Sequence, residues 1–162
     1  MNPPPFPVEP FASVVLGYRP MDDVHAEFVD VISRARDCPD ADFVKHLDDV
    51  IDHLCEHFEA EDAWMRETDF PPRDCHMQEH AAVLRSADEV RALGGGRLLE
   101  VGRSFVTELA NWFPGHADHL DSALAAWMCR RAHGGKPIVV HRRADARAAK
   151  APQLLQQDNA HD

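Results

Sequence analysis

Apolar side chains recur every three or four residues along four long stretches of the chain, which is the spacing of one buried helix face. These stretches predict helices over residues 22–36, 41–68, 75–93 and 97–131. Prolines or a run of glycines separate them, and no stretch alternates cleanly between polar and apolar residues as a strand would. The pattern therefore predicts an all-α fold, an up-and-down four-helix bundle whose helices are joined by short turns.

The two ends of the chain differ from the bundle in composition. Residues 1–20 are rich in proline and then apolar, which predicts an extended N-terminal arm lying against a bundle at residues 21–133. Residues 134–162 are polar and basic, which predicts a flexible C-terminal tail. Within the fourth helix, Pro114 removes a backbone donor and crowds the preceding turn. We expect a kink at Pro114 and Gly115.

Charge and composition exclude several classes of partner. The formal net charge is −11, and residues 134–162 carry +2, so the rest of the chain carries −13 and repels nucleic-acid phosphates. No apolar run is long enough to span a membrane. The four cysteines form no Cys-x-x-Cys pair, and the N-terminus has no secretion signal. These features favour a cytoplasmic protein with reduced thiols and no nucleic-acid or membrane partner.

Six polar residues fall on the predicted buried faces, where an unpaired imidazole or carboxylate would be costly, and Asp121 joins them. They are His25, His57, Glu61, His76, His80, His116 and Asp121. A single histidine at such a position is usually an ordinary core residue, but five histidines with two carboxylates favour a metal site. Imidazole and carboxylate suit iron, manganese or zinc. Seven ligands are too many for one tetrahedral zinc ion and favour two metal ions bridged by the carboxylates.

In chain order, the pattern resembles the ligand set of the hemerythrins, the non-haem oxygen-binding proteins. It consists of His25, His57-x-x-x-Glu61, His76-x-x-x-His80 and His116-x-x-x-x-Asp121, within residues 14–131. The resemblance implies two iron ions per chain, bridged by an oxo or hydroxo oxygen. It assigns His76, His80 and His116 to one iron and His25 and His57 to the other. Glu61 and Asp121 would bridge the two ions.

The resemblance also implies a function, which is reversible O₂ binding for storage, delivery or sensing, without enzyme activity and with an unidentified protein partner. O₂ would be held in a dry apolar pocket, for which Phe28, Leu54, Phe58 and Trp112 are the candidate walls. An alternative on the same site is a di-iron enzyme that turns over peroxide or nitric oxide. The ferritin-like di-iron enzymes are disfavoured, because no glutamate is followed three residues later by histidine.

Two features leave further alternatives open. His116 and Asp121 are five residues apart, which places them about 140° apart on a straight helix, so His119 is a rival ligand. The run from His76 to His80 also matches His-x-x-Glu-His, the inverted zinc-protease motif, in which Glu79 would be the general base. That zinc hydrolase interpretation leaves the other five candidate ligands unexplained. His53 lies nearer the edge of its helix and is predicted to be outside the ligand set.

Overall fold

The computed structural model describes residues 14–134 and forms an up-and-down bundle of four helical rods. Five α-helices make up these rods. They are α1 (Arg19–Asp37), α2 (Phe43–Glu67), α3 (Arg73–Arg91), α4 (Gly95–His116) and α5 (Ser122–Ala132). The first three are separate rods, and α4 and α5 together make the fourth. The prediction of an all-α four-helix bundle is confirmed.

The predicted ends of the helices differ from the observed ends by a few residues. For example, α4 begins at Gly95, two residues before the predicted start. Only residues 14–20 of the predicted N-terminal arm are described, and the predicted tail lies outside the described residues from position 135 onward. The boundaries of the arm, bundle and tail therefore stay predictions.

The first turn of α1 forms hydrogen bonds to the residues that precede the helix. Pro20 occupies the start of the helix, where a missing backbone N–H costs nothing. The Asp22 carboxylate accepts hydrogen bonds from the backbone N–H groups of Leu16 and Gly17 at 2.7 and 3.0 Å. Residues that precede the helix are thereby tied back to it.

A single arginine links α4 to the connection between α1 and α2. Arg103 of α4 donates hydrogen bonds to the backbone carbonyls of Ala35, Arg36 and Cys38, at 2.8–3.2 Å. It also pairs with the Asp40 carboxylate at 2.7 Å. These bonds satisfy carbonyls at the C-terminus of α1, which otherwise have no partner within the helix. They fix the position of α4 against the connection from α1 to α2.

The apolar core is divided into two clusters. The larger cluster includes Phe28, Phe58 and Phe113, and the smaller one is built around Met65 and Leu124. Along α1, α2 and the fourth rod, the candidate ligands are flanked in sequence by residues of the larger cluster on one side and by residues of the smaller cluster on the other. The polar site is thus enclosed between two apolar layers.

The fourth rod is irregular directly after Pro114 and Gly115. α4 itself continues through both residues, and the kink expected there stays a prediction. The irregularity comes directly afterwards, as a π-helical segment over Ala117–Asp121 that connects α4 to α5. No helix of the described residues is both long and apolar enough to cross a membrane.

Candidate metal centre

All seven candidate ligands are buried at one place between the helices. His25 comes from α1, His57 and Glu61 from α2, His76 and His80 from α3, and His116 and Asp121 from the fourth rod. None of the seven is more than 4% exposed. Their nitrogen and oxygen atoms form two overlapping groups that share Glu61, each compact enough to surround an ion. The structure therefore brings together all seven residues of the predicted ligand set.

Glu61 lies between two sets of imidazoles. We call His25 and His57 the two-imidazole set, and His76, His80 and His116 the three-imidazole set. Glu61 Oε1 lies 3.1 Å from His57 Nε2 and 3.6 Å from His25 Nε2. Its other oxygen, Oε2, lies 3.4 Å from His80 Nε2 and 3.5 Å from His76 Nε2. One carboxylate thus presents one oxygen to each set.

Asp121 repeats this arrangement from the opposite rod. Its Oδ2 lies 3.2 Å from His25 Nε2 in the two-imidazole set. Its Oδ1 lies 3.0 Å from His76 Nε2 and 3.1 Å from His116 Nε2 in the three-imidazole set. Two carboxylates that each divide their oxygens between the same two sets have the arrangement required to bridge two cations.

The geometry of the three-imidazole set fits a cation. His80 Nδ1 lies 2.8 Å from Asp62 Oδ1, and His116 Nδ1 lies 2.9 Å from Glu79 Oε2. Because these Nδ1 atoms face carboxylates, they carry the proton in the neutral imidazole, and Nε2 presents a lone pair. The Nε2 atoms of His80 and His116 are nevertheless only 3.2 Å apart. Two nitrogens bound to the same ion at ~2.1 Å, with a right angle between the two bonds, would be ~3.0 Å apart.

Several buried polar atoms of the site have no hydrogen-bond partner among residues 14–134. They include Nδ1 of His25, His57 and His76, one oxygen of Glu61 and both oxygens of Asp121. Leaving such atoms unpaired is costly, and a bound cation would satisfy the carboxylate oxygens. The donor set is oxygen and nitrogen without sulfur, which suits iron, manganese or zinc.

The electrostatics of the seven side chains are strongly coupled. Burial by itself lowers the pKa of His25 and His76, but the Asp121 and Glu61 carboxylates outweigh it and raise each pKa to about 9. Burial likewise raises the pKa of Glu61 and Asp121, but the surrounding imidazoles outweigh it and hold both values below their usual range. Both carboxylates are therefore ionised at neutral pH and available as ligands.

Comparison with known proteins identifies the family. Residues 16–128 match the family described as the hemerythrin HHE cation binding domain. The chain belongs to the hemerythrin family. It is 40% identical over 116 residues to a bacteriohemerythrin from Ralstonia nicotianae (strain ATCC BAA-1114 / GMI1000), a match that covers 72% of this chain and 85% of that protein. No solved structure matches.

Family membership confirms the resemblance seen in the sequence. Together with the buried cluster, it makes the chain a hemerythrin-type metal protein. It also supports the expectation of a protein that is not an enzyme.

The five-residue spacing of His116 and Asp121 is explained by the π-helical segment. On a straight α-helix the two side chains would diverge by about 140°. A π-helix closes its hydrogen bonds between residues five apart, so it brings such a pair to the same side. The segment begins directly after His116 and ends at Asp121 itself. The hemerythrin site therefore depends on this local departure from α-helical geometry.

Aromatic rings surround the imidazoles of the hemerythrin site. Phe58 stacks on His80 with ring centroids 4.0 Å apart, and Trp112 lies 4.3 Å from His116. Of the predicted walls, Phe28, Leu54 and Phe58 are buried, whereas Trp112 is half-buried. Phe113 was not among the predicted walls, and its ring lies 4.9 Å from that of His25. Its position three residues before His116, on the same helix face, is the signal that could have indicated it.

The rival ligand His119 and the other alternative residues lie outside the cluster. The side chain of His119 is 79% exposed and lies 3.3 Å from Asp118 at the surface. His53 belongs to neither ligand group of the described residues, although its ring lies 5.6 Å from that of His57. Glu79, the general base of the zinc-protease interpretation, contacts Nδ1 of His116, on the side of the ring away from the ligand cluster. That position argues against the zinc-hydrolase alternative.

Proposed function

We propose that this hemerythrin binds O₂ reversibly at a non-haem di-iron centre. The ligands would be all seven converging residues, which are His25, His57, Glu61, His76, His80, His116 and Asp121. The three-imidazole set would hold one iron and the two-imidazole set the other, with Glu61 and Asp121 bridging. The observation that carries the proposal is the division of both carboxylates, because each directs one oxygen toward each imidazole set.

The inequality of the two sets supports O₂ as the ligand. Both bridging carboxylates serve both sets, so the two-imidazole set supplies one fewer protein ligand. An ion held there would keep a free position for a small molecule. When bound, the iron pair would supply the electrons for reversible O₂ binding. The name of the relative, bacteriohemerythrin, agrees with this assignment.

The apolar surroundings would protect bound O₂. Phe28 and Phe113 have ring centroids 4.5 Å apart, and both are buried beside the two-imidazole set. These rings would exclude water from the space beside His25 and His57, and their side chains carry no proton donor. A dry pocket of this kind limits irreversible oxidation of the metal pair, which is the protein's main contribution in such a cofactor site.

An absorption spectrum with iron analysis tests the proposal. The full chain, loaded with ferrous iron under anaerobic conditions, should contain two iron ions and should be nearly colourless. It should develop a visible charge-transfer band on admission of air and lose that band when O₂ is removed, over repeated cycles. A protein that holds one zinc ion, or one whose band does not reverse, would contradict the proposal. Steady consumption of peroxide or nitric oxide would favour the enzyme alternative instead.

A further inference from the structure

Two carboxylates outside the ligand cluster contact its imidazoles from behind. Asp62 Oδ1 lies 2.8 Å from His80 Nδ1, and Glu79 Oε2 lies 2.9 Å from His116 Nδ1. The side chain of Asp62 is 18% exposed and that of Glu79 is 50% exposed, so both belong to the outer surface of the bundle. Neither residue belongs to the candidate ligand groups of the described chain.

The same two histidines are also held by aromatic rings. Phe58 lies parallel to His80, with an interplanar angle of 4°, and Trp112 covers His116 with an angle of 31°. Each imidazole is therefore fixed in two ways. The carboxylate selects which nitrogen carries the proton, and the aromatic ring limits rotation of the imidazole plane.

The two-imidazole set has no such carboxylates. Within residues 14–134, Nδ1 of His25 and Nδ1 of His57 are buried without a hydrogen-bond partner, as is Nδ1 of His76. Two of the three imidazoles on one side are thus backed by a carboxylate, compared with neither of the two on the other side. A carboxylate behind a ligating histidine fixes its tautomer and raises its basicity, which strengthens its bond to a metal ion.

We propose that Asp62 and Glu79 are positioning residues that make the three-imidazole set the tighter of the two metal sites, the one that is filled first. This inference rests on the proposed metal centre. Asp62 and Glu79 act through His80 and His116 and do not touch the ion. Their carboxylates hold Nδ1–H of each ring, so that both Nε2 lone pairs are directed into the cluster before any metal arrives.

Zn²⁺ titration of the full-length metal-free protein, in competition with a chelator, tests the proposal without any redox chemistry. The wild type should bind two ions with unequal affinities. Asp62→Ala and Glu79→Ala should each weaken the tighter ion by about 10- to 100-fold, which is the usual effect of removing such a partner. Asp62→Asn and Glu79→Gln keep an oxygen acceptor and lose only the charge, so their effect should be smaller. The weaker ion should be unaffected in all four variants.

Glu59→Ala is a matched control, because Glu59 is an exposed acid on α2 with no hydrogen bond or ion pair to the described residues. Circular dichroism should show that every variant is folded, since the altered side chains reach the surface. A second readout is imidazole NMR of the Zn²⁺-loaded protein. The Nδ1–H signals of His80 and His116 should be protected from exchange in the wild type, and each should be lost in the matching alanine variant.

The outcomes separate this inference from the proposed function. A wild-type protein that binds no metal at the cluster would overturn both. If the wild type binds two ions and the alanine variants of Asp62 and Glu79 behave like Glu59→Ala, the positioning role is overturned and the metal centre stands. Equal weakening of both ions would overturn the asymmetry that the proposal asserts.

Discussion

Glu61→Ala is the substitution that tests the centre most directly. Glu61 is 1% exposed, and its two oxygens lie 3.1–3.6 Å from four imidazole nitrogens. Alanine removes both oxygens and leaves Asp121, which contacts His25, His76 and His116, as the single carboxylate between the two sets. Because one oxygen faces each set, the loss weakens both proposed ion sites together. We expect less than half of the wild-type iron content per chain.

The effect on stability follows from the burial of this network. Removing one partner of a buried charged pair costs about 3–5 kcal/mol, because the other partner stays buried and uncompensated. A natural domain has about 5–15 kcal/mol of stability in total, so the variant should be folded but much weaker. For a chain of this size the same cost lowers the melting temperature by roughly 10 °C.

Urea unfolding of the metal-free protein, followed by circular dichroism, measures the stability term, and iron analysis after desalting measures the metal term. Glu59→Ala serves again as the control, and its stability should change by less than about 0.5 kcal/mol, as for most surface substitutions. If Glu61→Ala kept two iron ions and wild-type stability, Glu61 would not be a bridging ligand, and the division of its oxygens would have no function.

Three further predictions concern packing, pH and the ligand set. Gly102→Ala should destabilise the protein by about 1–3 kcal/mol, because the added Cβ would lie 2.7 Å from a buried phenylalanine ring of α2. Gly96→Ala should stabilise it by about 0.5 kcal/mol, because the added Cβ meets nothing within 4 Å. The urea midpoint should fall for the first variant and rise for the second. In the metal-free protein, His25 and His76 have a folded-state pKa of about 9, above the ordinary 6.5. The stability that their protonation gives to the fold is therefore complete below pH 6.5 and is lost as the pH rises through 9. The urea midpoint should decrease as the pH is raised from about 6.5 to about 9.5. His53→Gln should leave the iron content unchanged, since its ring belongs to neither ligand group of the described residues; loss of iron would place it in the ligand set.

The pattern of apolar positions was sufficient to predict the bundle and the converging residues other than Asp121, whose five-residue spacing from His116 does not fit one face of a straight helix. Helical period determines which residues share a face, and a histidine such as His57 within a buried stripe is conspicuous because polar groups there need partners. Helix ends were less accurate. Glycine disfavours a helix interior, so the sequence placed the start of α4 after Gly95, but a first turn has few internal hydrogen bonds to lose and tolerates it.

Contacts that depend on tertiary packing could not be predicted in this way. Nothing in the sequence links Asp62 to His80 or Glu79 to His116, because these partners are 18 and 37 residues apart in the chain. Only the placement of α3 between α2 and the fourth rod brings these pairs together. Sequence periodicity reports which face of a helix is buried, but it does not report which side chains of neighbouring helices meet.

The π-helical segment provides a last test, because it is a feature that the sequence did not predict. A single-turn π segment in a helical rod is equivalent to one extra residue, since its hydrogen bonds span five residues where an α-helix spans four. Deleting the exposed His119 should therefore restore a continuous α-helix and leave α5 in phase with the core. In this variant the aspartate follows His116 by four residues, so the two side chains lie on the same helix face. We expect this variant to fold and to keep its iron, as should the substitution His119→Ala.

Deleting the exposed Thr107 from α4 should instead rotate everything beyond it by about 100°, and it should abolish iron binding. If both deletions were equally damaging, the π segment would not be the extra residue that aligns His116 with Asp121.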